Sequence, residues 1–205
     1  MKYRIFVLIL LCFIMGCTAR SSQALLDRHQ IQNPKIDELS VCISYGCRHL
    51  LSTYLTDREW DMVVQSMMPG HEDSSFEERQ RISETIGLLE RIIGPKVGTQ
   101  YNRARNESGP RGTRQLDCIA ETVNTTVYLK LLEDNRLMHY HRLVEPARKG
   151  PLSSGTWLHF TSVIEELDTG ERFAVDPWFF DNGHPAVIIS LQRWMLPNRE
   201  VNLSP

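Results

Sequence analysis

Between residues 57 and 132 apolar residues recur every three or four positions, whereas beyond Gly155 they alternate with polar ones. The first spacing predicts helices and the second strands. Trp60, Val63, Val64 and Met67 form the stripe of a first helix, with Asp57 as its cap and Pro69-Gly70 as its stop. Ile82, Ile86, Leu89 and Ile93 form the stripe of a second, opened by Ser74 and Ser75 in capping-box spacing to Glu77 and Glu78 and closed at Gly94-Pro95. Its charged face is expected in solvent. A third helix is expected from about Asp117 to Leu132, with Ile119, Val123, Val127 and Leu131 inward and Glu121, Asn124 and Lys130 elsewhere. Its β-branched Val123, Thr125, Thr126 and Val127 weaken intrinsic helix propensity, so packing must hold it, which makes it a central element.

Val41, Ile43, Tyr45, Thr53 and Tyr54 suggest two short strands flanking a turn. Residues 102 to 114, rich in Arg, Gly, Ser and Asn, read as a mobile loop. Trp157 to Leu167 and Arg172 to Trp178 read as strands joined at Asp168-Thr169-Gly170-Glu171, a hairpin signal. Reversal at Asp168-Thr169 sets Asp176 opposite Thr161 and on the side of His159; a three-residue turn with Gly170 left-handed would shift the register and flip the face. Asp181-Asn182-Gly183 is a further turn, Ala186 to Ser190 a further strand and Leu191 to Met195 a helical turn. Helices followed by an antiparallel sheet define an α+β fold.

The chain has 205 residues, 41% hydrophobic and 23% charged, enough for one sizeable core. A formal net charge of -2 lacks the basic excess that phosphate backbones demand, so nucleic acid is excluded as the expected partner. Lys2 and Arg4 precede an apolar run from Ile5 to Met15 that is too short for a bilayer-spanning helix, which needs ~20 residues, so it reads as a secretory signal. Ending in Gly16-Cys17, it resembles a bacterial lipoprotein signal. The resemblance implies a signal over residues 1–16 and acylation of Cys17. It also implies attachment to the membrane through that lipid and, because Thr18 and not Asp follows, the outer membrane facing the periplasm. Residues 17–35, polar and without period, read as a tether, and 36–205 as the domain.

Cys12 leaves with the signal and Cys17 is assigned to lipid. In an oxidising compartment Cys42 and Cys47 form a natural disulfide across a tight turn; a metal-binding pair there would lack a second ligand pair nearby. Cys118 is left alone. At the head of the third helix, unpaired N–H groups and the helix dipole favour its thiolate. His159 and Asp176, on the two strands of the hairpin, could supply a base and its orienting carboxylate.

Gln115-Leu-Asp-Cys118-Ile-Ala-Glu121, then His159 in a strand, then Val175-Asp176-Pro177-Trp178, resembles the core of the transglutaminase-like thiol enzymes. The resemblance implies a papain-like α+β core with the thiol helix packed on an antiparallel sheet. It also implies Cys118 as nucleophile, His159 as general base and Asp176 as its orienter. The reaction expected is acyl transfer through a thioester on a peptide, protein or peptidoglycan-like amide, with no cofactor and no metal. The oxyanion would be held by the Cys118 backbone N–H and one side-chain donor, for which Gln115 is the choice. The alternative is a lipid-tethered binding or assembly module that kept the fold and lost the chemistry.

Other features carry blander expectations. His139-Tyr140-His141 sets two imidazoles on one strand face and invites zinc with Cys118 or His159, but no fourth ligand is evident. Arg103, Arg105, Arg111 and Arg114 could draw carboxylate-bearing substrates, although a solvated loop accounts for them. Trp178, Phe179, Phe180 and Trp194 are expected to pack the sheet.

Overall fold

The structure is a computed structural model and describes residues 21–70, 73–107, 114–150 and 158–196. It is an α+β fold with helices before a four-stranded antiparallel sheet. Chain order is α1 (Ser22–Arg28), β1 (Leu39–Cys42), β2 (Leu50–Thr53), α2 (Asp57–Met67), α3 (Ser75–Val97) and α4 (Cys118–Asp134). Then follow β3 (His141–Lys149), β4 (His159–Glu166), β5 (Arg172–Asp176), β6 (Val187–Ser190) and α5 (Leu191–Trp194). No helix among the described residues is long and apolar enough to cross a membrane.

α4 is the axis of the core. Val123, Val127, Leu129, Leu131 and Leu132 are wholly buried, and the helix is covered on nearly every side. Glu121 and Asn124, expected away from the core, are therefore buried as well. Their polar groups are matched. The Asn124 amide accepts from Cys42 N at 2.7 Å and donates to Cys42 O at 3.1 Å, joining α4 to β1. Thr126 Oγ1 donates to Thr122 O, and Ser162 Oγ donates to the same carbonyl, joining α4 to β4.

Local chemistry sets the helix ends with small departures from expectation. α2 is capped by Thr56, one residue before Asp57, because Thr56 and Glu59 form a reciprocal capping box. α3 opens on Ser74, whose hydroxyl accepts from Glu77 N, but it runs through Pro95 to Val97. Gly98, at φ 85, ends it with a left-handed residue whose N–H reaches Gly94 O. Nor is the charged face of α3 all in solvent. Glu78 is buried and accepts three backbone N–H bonds from His139, Tyr140 and His141, at 2.6, 3.0 and 3.0 Å, so one α3 carboxylate pins the entry to β3. Glu90 is also buried and accepts from Gly183 N at 2.6 Å.

The sheet runs β3-β4-β5-β6, each neighbour antiparallel. Ser162 faces Val175, the register that sets Asp176 beside Thr161. Gly170 is left-handed, at φ 71, yet the register does not slip. Glu166 N bonds to Glu171 O across a four-residue loop, so reversal remains at Asp168-Thr169. The strand expected at His139-Tyr140-His141 begins at His141 and runs on as β3 to Lys149, through residues that carry no alternating pattern. Its register shifts between Val144 and Ala147, around Pro146, which has no N–H to give the ladder. The stretch expected as a tether includes α1, whose Leu26 is wholly buried.

Candidate active site

Cys118 is the first residue of α4 and is half-buried with a free thiol. The N-cap is Asp117, whose Oδ1 accepts from Ala120 N at 2.9 Å. Both carboxylate oxygens also lie 2.9 Å from Gly46 N, so the charge beside the thiol is spent on backbone N–H groups. Gly46 adopts φ 63 between the disulfide-bonded Cys42 and Cys47, whose Cα atoms are 4.8 Å apart. A side chain would strain that conformation. The disulfide turn therefore grips the thiol helix at two places, Asp117 and Asn124.

His159 opens β4 and Asp176 closes β5, both buried. His159 Nε2 is 2.7 Å from Asp176 Oδ2. The Cys118 side chain acts on the same ring from nearby and favours its protonated form. Burial pushes the His159 pKa down, but the Asp176 charge and hydrogen bond, with Cys118, outweigh it and bring the value up to about 9. The imidazole is thus a cation at neutral pH. Cys118 Sγ also lies 3.8 Å from Leu158 O.

Aromatic groups enclose the ring. Trp178 lies 4.5 Å and Trp194 5.5 Å from it, centroid to centroid, with Trp194 stacked. Trp194 does more than pack. Its Nε1 donates to Asp176 Oδ2 at 2.8 Å, a bond that nothing in the spacing of the sequence signals. Lys149, wholly buried and opposite His159 in the β3-β4 ladder, donates from Nζ to Trp194 O at 2.6 Å and lies over the indole at 4.5 Å.

Beneath Cys118, one turn along α4, Glu121 accepts from Asn102 Nδ2 at 2.6 Å. Burial first, then the charges of Glu90, Asp176, Asp117 and Cys118, hold its pKa well above the ordinary carboxylate value. Gln115 lies three residues before Cys118 and braces the preceding loop: Oε1 accepts from Arg103 N at 3.0 Å and from Asn106, while Nε2 donates to Tyr101 O at 2.8 Å. His141 meets Glu78 through Nδ1 at 2.9 Å and Arg79 through Nε2 at 3.1 Å, which occupies both ring nitrogens. Arg103 pairs with Asp181 at 2.7 Å, and Arg105 lies over the Phe179 ring at 5.7 Å. Arg111 and Cys17 lie outside the described residues.

No protein-family model, curated protein or solved structure matches this chain.

Proposed function

We propose that this protein is an envelope-anchored cysteine hydrolase or acyltransferase, with a transglutaminase-like, papain-like core and a Cys118-His159-Asp176 triad acting on peptide or other amide bonds. The observation that carries the reading is one buried imidazole ring bonded to Asp176 at 2.7 Å and raised in pKa by both that carboxylate and the side chain of Cys118, at the head of a buried helix. Structural histidines often have a carboxylate partner alone; a thiol near a ring that a buried carboxylate orients is the set of groups nucleophilic catalysis needs. Attachment by a lipid on Cys17, facing the periplasm from the outer membrane, rests on the lipoprotein-like signal.

In the reaction, the Cys118 sulfur attacks the amide carbonyl carbon and the carbonyl oxygen takes up the charge. The Cys118 backbone N–H, at the first helical position, has no acceptor within the helix and is available to that oxygen. Gln115 Nε2 keeps a second N–H beyond the one given to Tyr101, and is the side-chain donor in this reading. The C–N bond breaks as the His159 imidazolium gives its proton to the leaving amine. Water then attacks the thioester and yields a proton to His159, releasing a carboxylic acid and restoring the thiolate-imidazolium pair; an amine in place of water makes a new amide. Asp176 fixes the ring orientation and offsets the imidazolium charge.

The test is to incubate the mature protein with a whole-proteome peptide digest and label new amino termini for mass spectrometry. New termini or new amide cross-links should form with the wild type and be absent with Cys118→Ala; products identical in the two proteins would overturn the proposal.

A further inference from the structure

Lys149 is a charged side chain held inside the protein. It is 1% exposed and ends β3 directly opposite His159 in the β3-β4 ladder, so it stands on the same face of the sheet as the imidazole. An ammonium withdrawn from water is costly, and a methionine of similar length would fill the space without that cost. Its contacts give the charge a use.

Nζ donates to Trp194 O at 2.6 Å and to Leu196 O at 3.4 Å, carbonyls at the end of α5. That helix has four residues, too few to hold itself together, and a cation at its C-terminus answers the last carbonyls and the helix dipole. The same Nζ lies over the Trp194 ring at 4.5 Å. The indole is in turn stacked on His159 at 5.5 Å and donates from Nε1 to Asp176 Oδ2 at 2.8 Å. A cation over an indole draws density from the ring and makes its N–H a stronger donor. Lys149 and Asp176 also feel each other directly: burial lowers the Lys149 pKa, and the Asp176 charge acts to raise it.

We propose that Lys149 is a positioning residue of the triad, seating Trp194 so that the indole N–H grips Asp176 Oδ2 and that carboxylate in turn holds the His159 ring. It touches no reacting atom. Its effect on the reaction rests on the triad reading, whereas the seating of Trp194 stands apart from it. Because Lys149 acts through Trp194, a protein without the indole leaves it nothing to position.

Iodoacetamide alkylation of Cys118 at pH 6 is followed by intact mass in Lys149→Met, Trp194→Phe and the double variant. The second readout is the indole proton–nitrogen NMR cross-peak of Trp194, assigned by its absence from Trp194→Phe. Lys149→Met should slow alkylation about threefold to tenfold and move that cross-peak upfield, and in the Trp194→Phe background it should slow the reaction by less than about twofold further. The cross-peak of Trp60, on α2, should stay in place as the sign of an intact fold. Where it does not, Lys149→Gln replaces Lys149→Met. An unmoved Trp194 cross-peak, an unchanged rate, or an equal slowing in both backgrounds overturns the proposal. Should His159→Ala leave the wild-type rate unaltered, the triad reading fails by itself, and the cross-peak alone decides the seating of Trp194. An upfield move in Lys149→Met then upholds it, and an unmoved peak overturns it.

Discussion

Trp194 Nε1 and His159 Nε2 converge on one oxygen, Oδ2 of Asp176, at 2.8 and 2.7 Å. Helix α5 is thereby tied to the ends of two strands, and the carboxylate is held from two directions inside an aromatic shell. Replacing Trp194 by Phe keeps a ring beside His159 and deletes one donor to a buried charge. The expected cost is about 1–3 kcal/mol in urea denaturation, with slower Cys118 alkylation as the imidazole loses its fixed orientation.

The raised His159 pKa makes stability depend on pH. With a folded value of about 9 against an ordinary 6.5, the folded state holds a proton that the unfolded chain releases between those values. The contribution is complete below pH 6.5 and is lost as pH climbs toward 9. Urea titrations at pH 6, 7.5 and 9 should show the advantage of wild type over His159→Gln shrinking by up to roughly 3 kcal/mol. A difference independent of pH would place the proton elsewhere.

Two buried glutamates should respond oppositely to the same change. Burial acts to raise the Glu78 pKa, but the hydrogen bonds from His141, His139 N and Tyr140 N outweigh it and lower the value, so Glu78 is ionised. Its stabilisation is present above the ordinary carboxylate pKa and disappears as pH falls through the lowered one. Burial and the neighbouring acidic groups push the Glu121 pKa the other way, well above the ordinary value. Glu78→Gln leaves backbone N–H groups poorly matched and should cost about 3 kcal/mol, whereas Glu121→Gln keeps an acceptor oxygen for Asn102 Nδ2 and removes a carboxyl whose charged form burial disfavours, so it should cost less than about 1 kcal/mol. Denaturation at pH 7 checks both.

The disulfide should matter more for the thiol than for the fold. Closing so short a loop is worth ~2 kcal/mol by chain entropy. Yet Gly46 between the two cysteines feeds its N–H to Asp117, the cap of α4. In Cys42→Ala/Cys47→Ala the loss in melting stability should be modest, while Cys118 alkylation by iodoacetamide should slow severalfold as the helix start frays. Unchanged alkylation would mean that the turn does not position the thiol.

What the sequence made legible was whatever is encoded locally. The α4 start could be read because an N-cap Asp precedes an apolar helix, and the β4-β5 register because a turn fixes its own reversal point. β3 was illegible beyond His141: Arg142, Glu145, Pro146, Arg148 and Lys149 break any alternation, and the strand forms because Glu78 anchors its entry and β4 supplies its ladder. The inward turn of Glu78, Glu90 and Glu121 was hidden for the same reason. A charge is read as exposed unless its partner is known, and these partners are backbone groups or an amide 19 to 93 residues away. Of the site, the three triad candidates stand out by residue type and order, while Trp194 and Lys149 are recognisable only once the sheet has brought α5 back over β5.

The central claim is that His159 activates the Cys118 sulfur, and the most direct measurement is the rate of iodoacetamide alkylation of Cys118 from pH 5 to 9. The account predicts that at pH 6 the native thiol reacts at least about tenfold faster than N-acetylcysteine, and that His159→Ala abolishes the difference. A wild-type profile that follows the small-molecule thiol across the range, unchanged in His159→Ala, would contradict it.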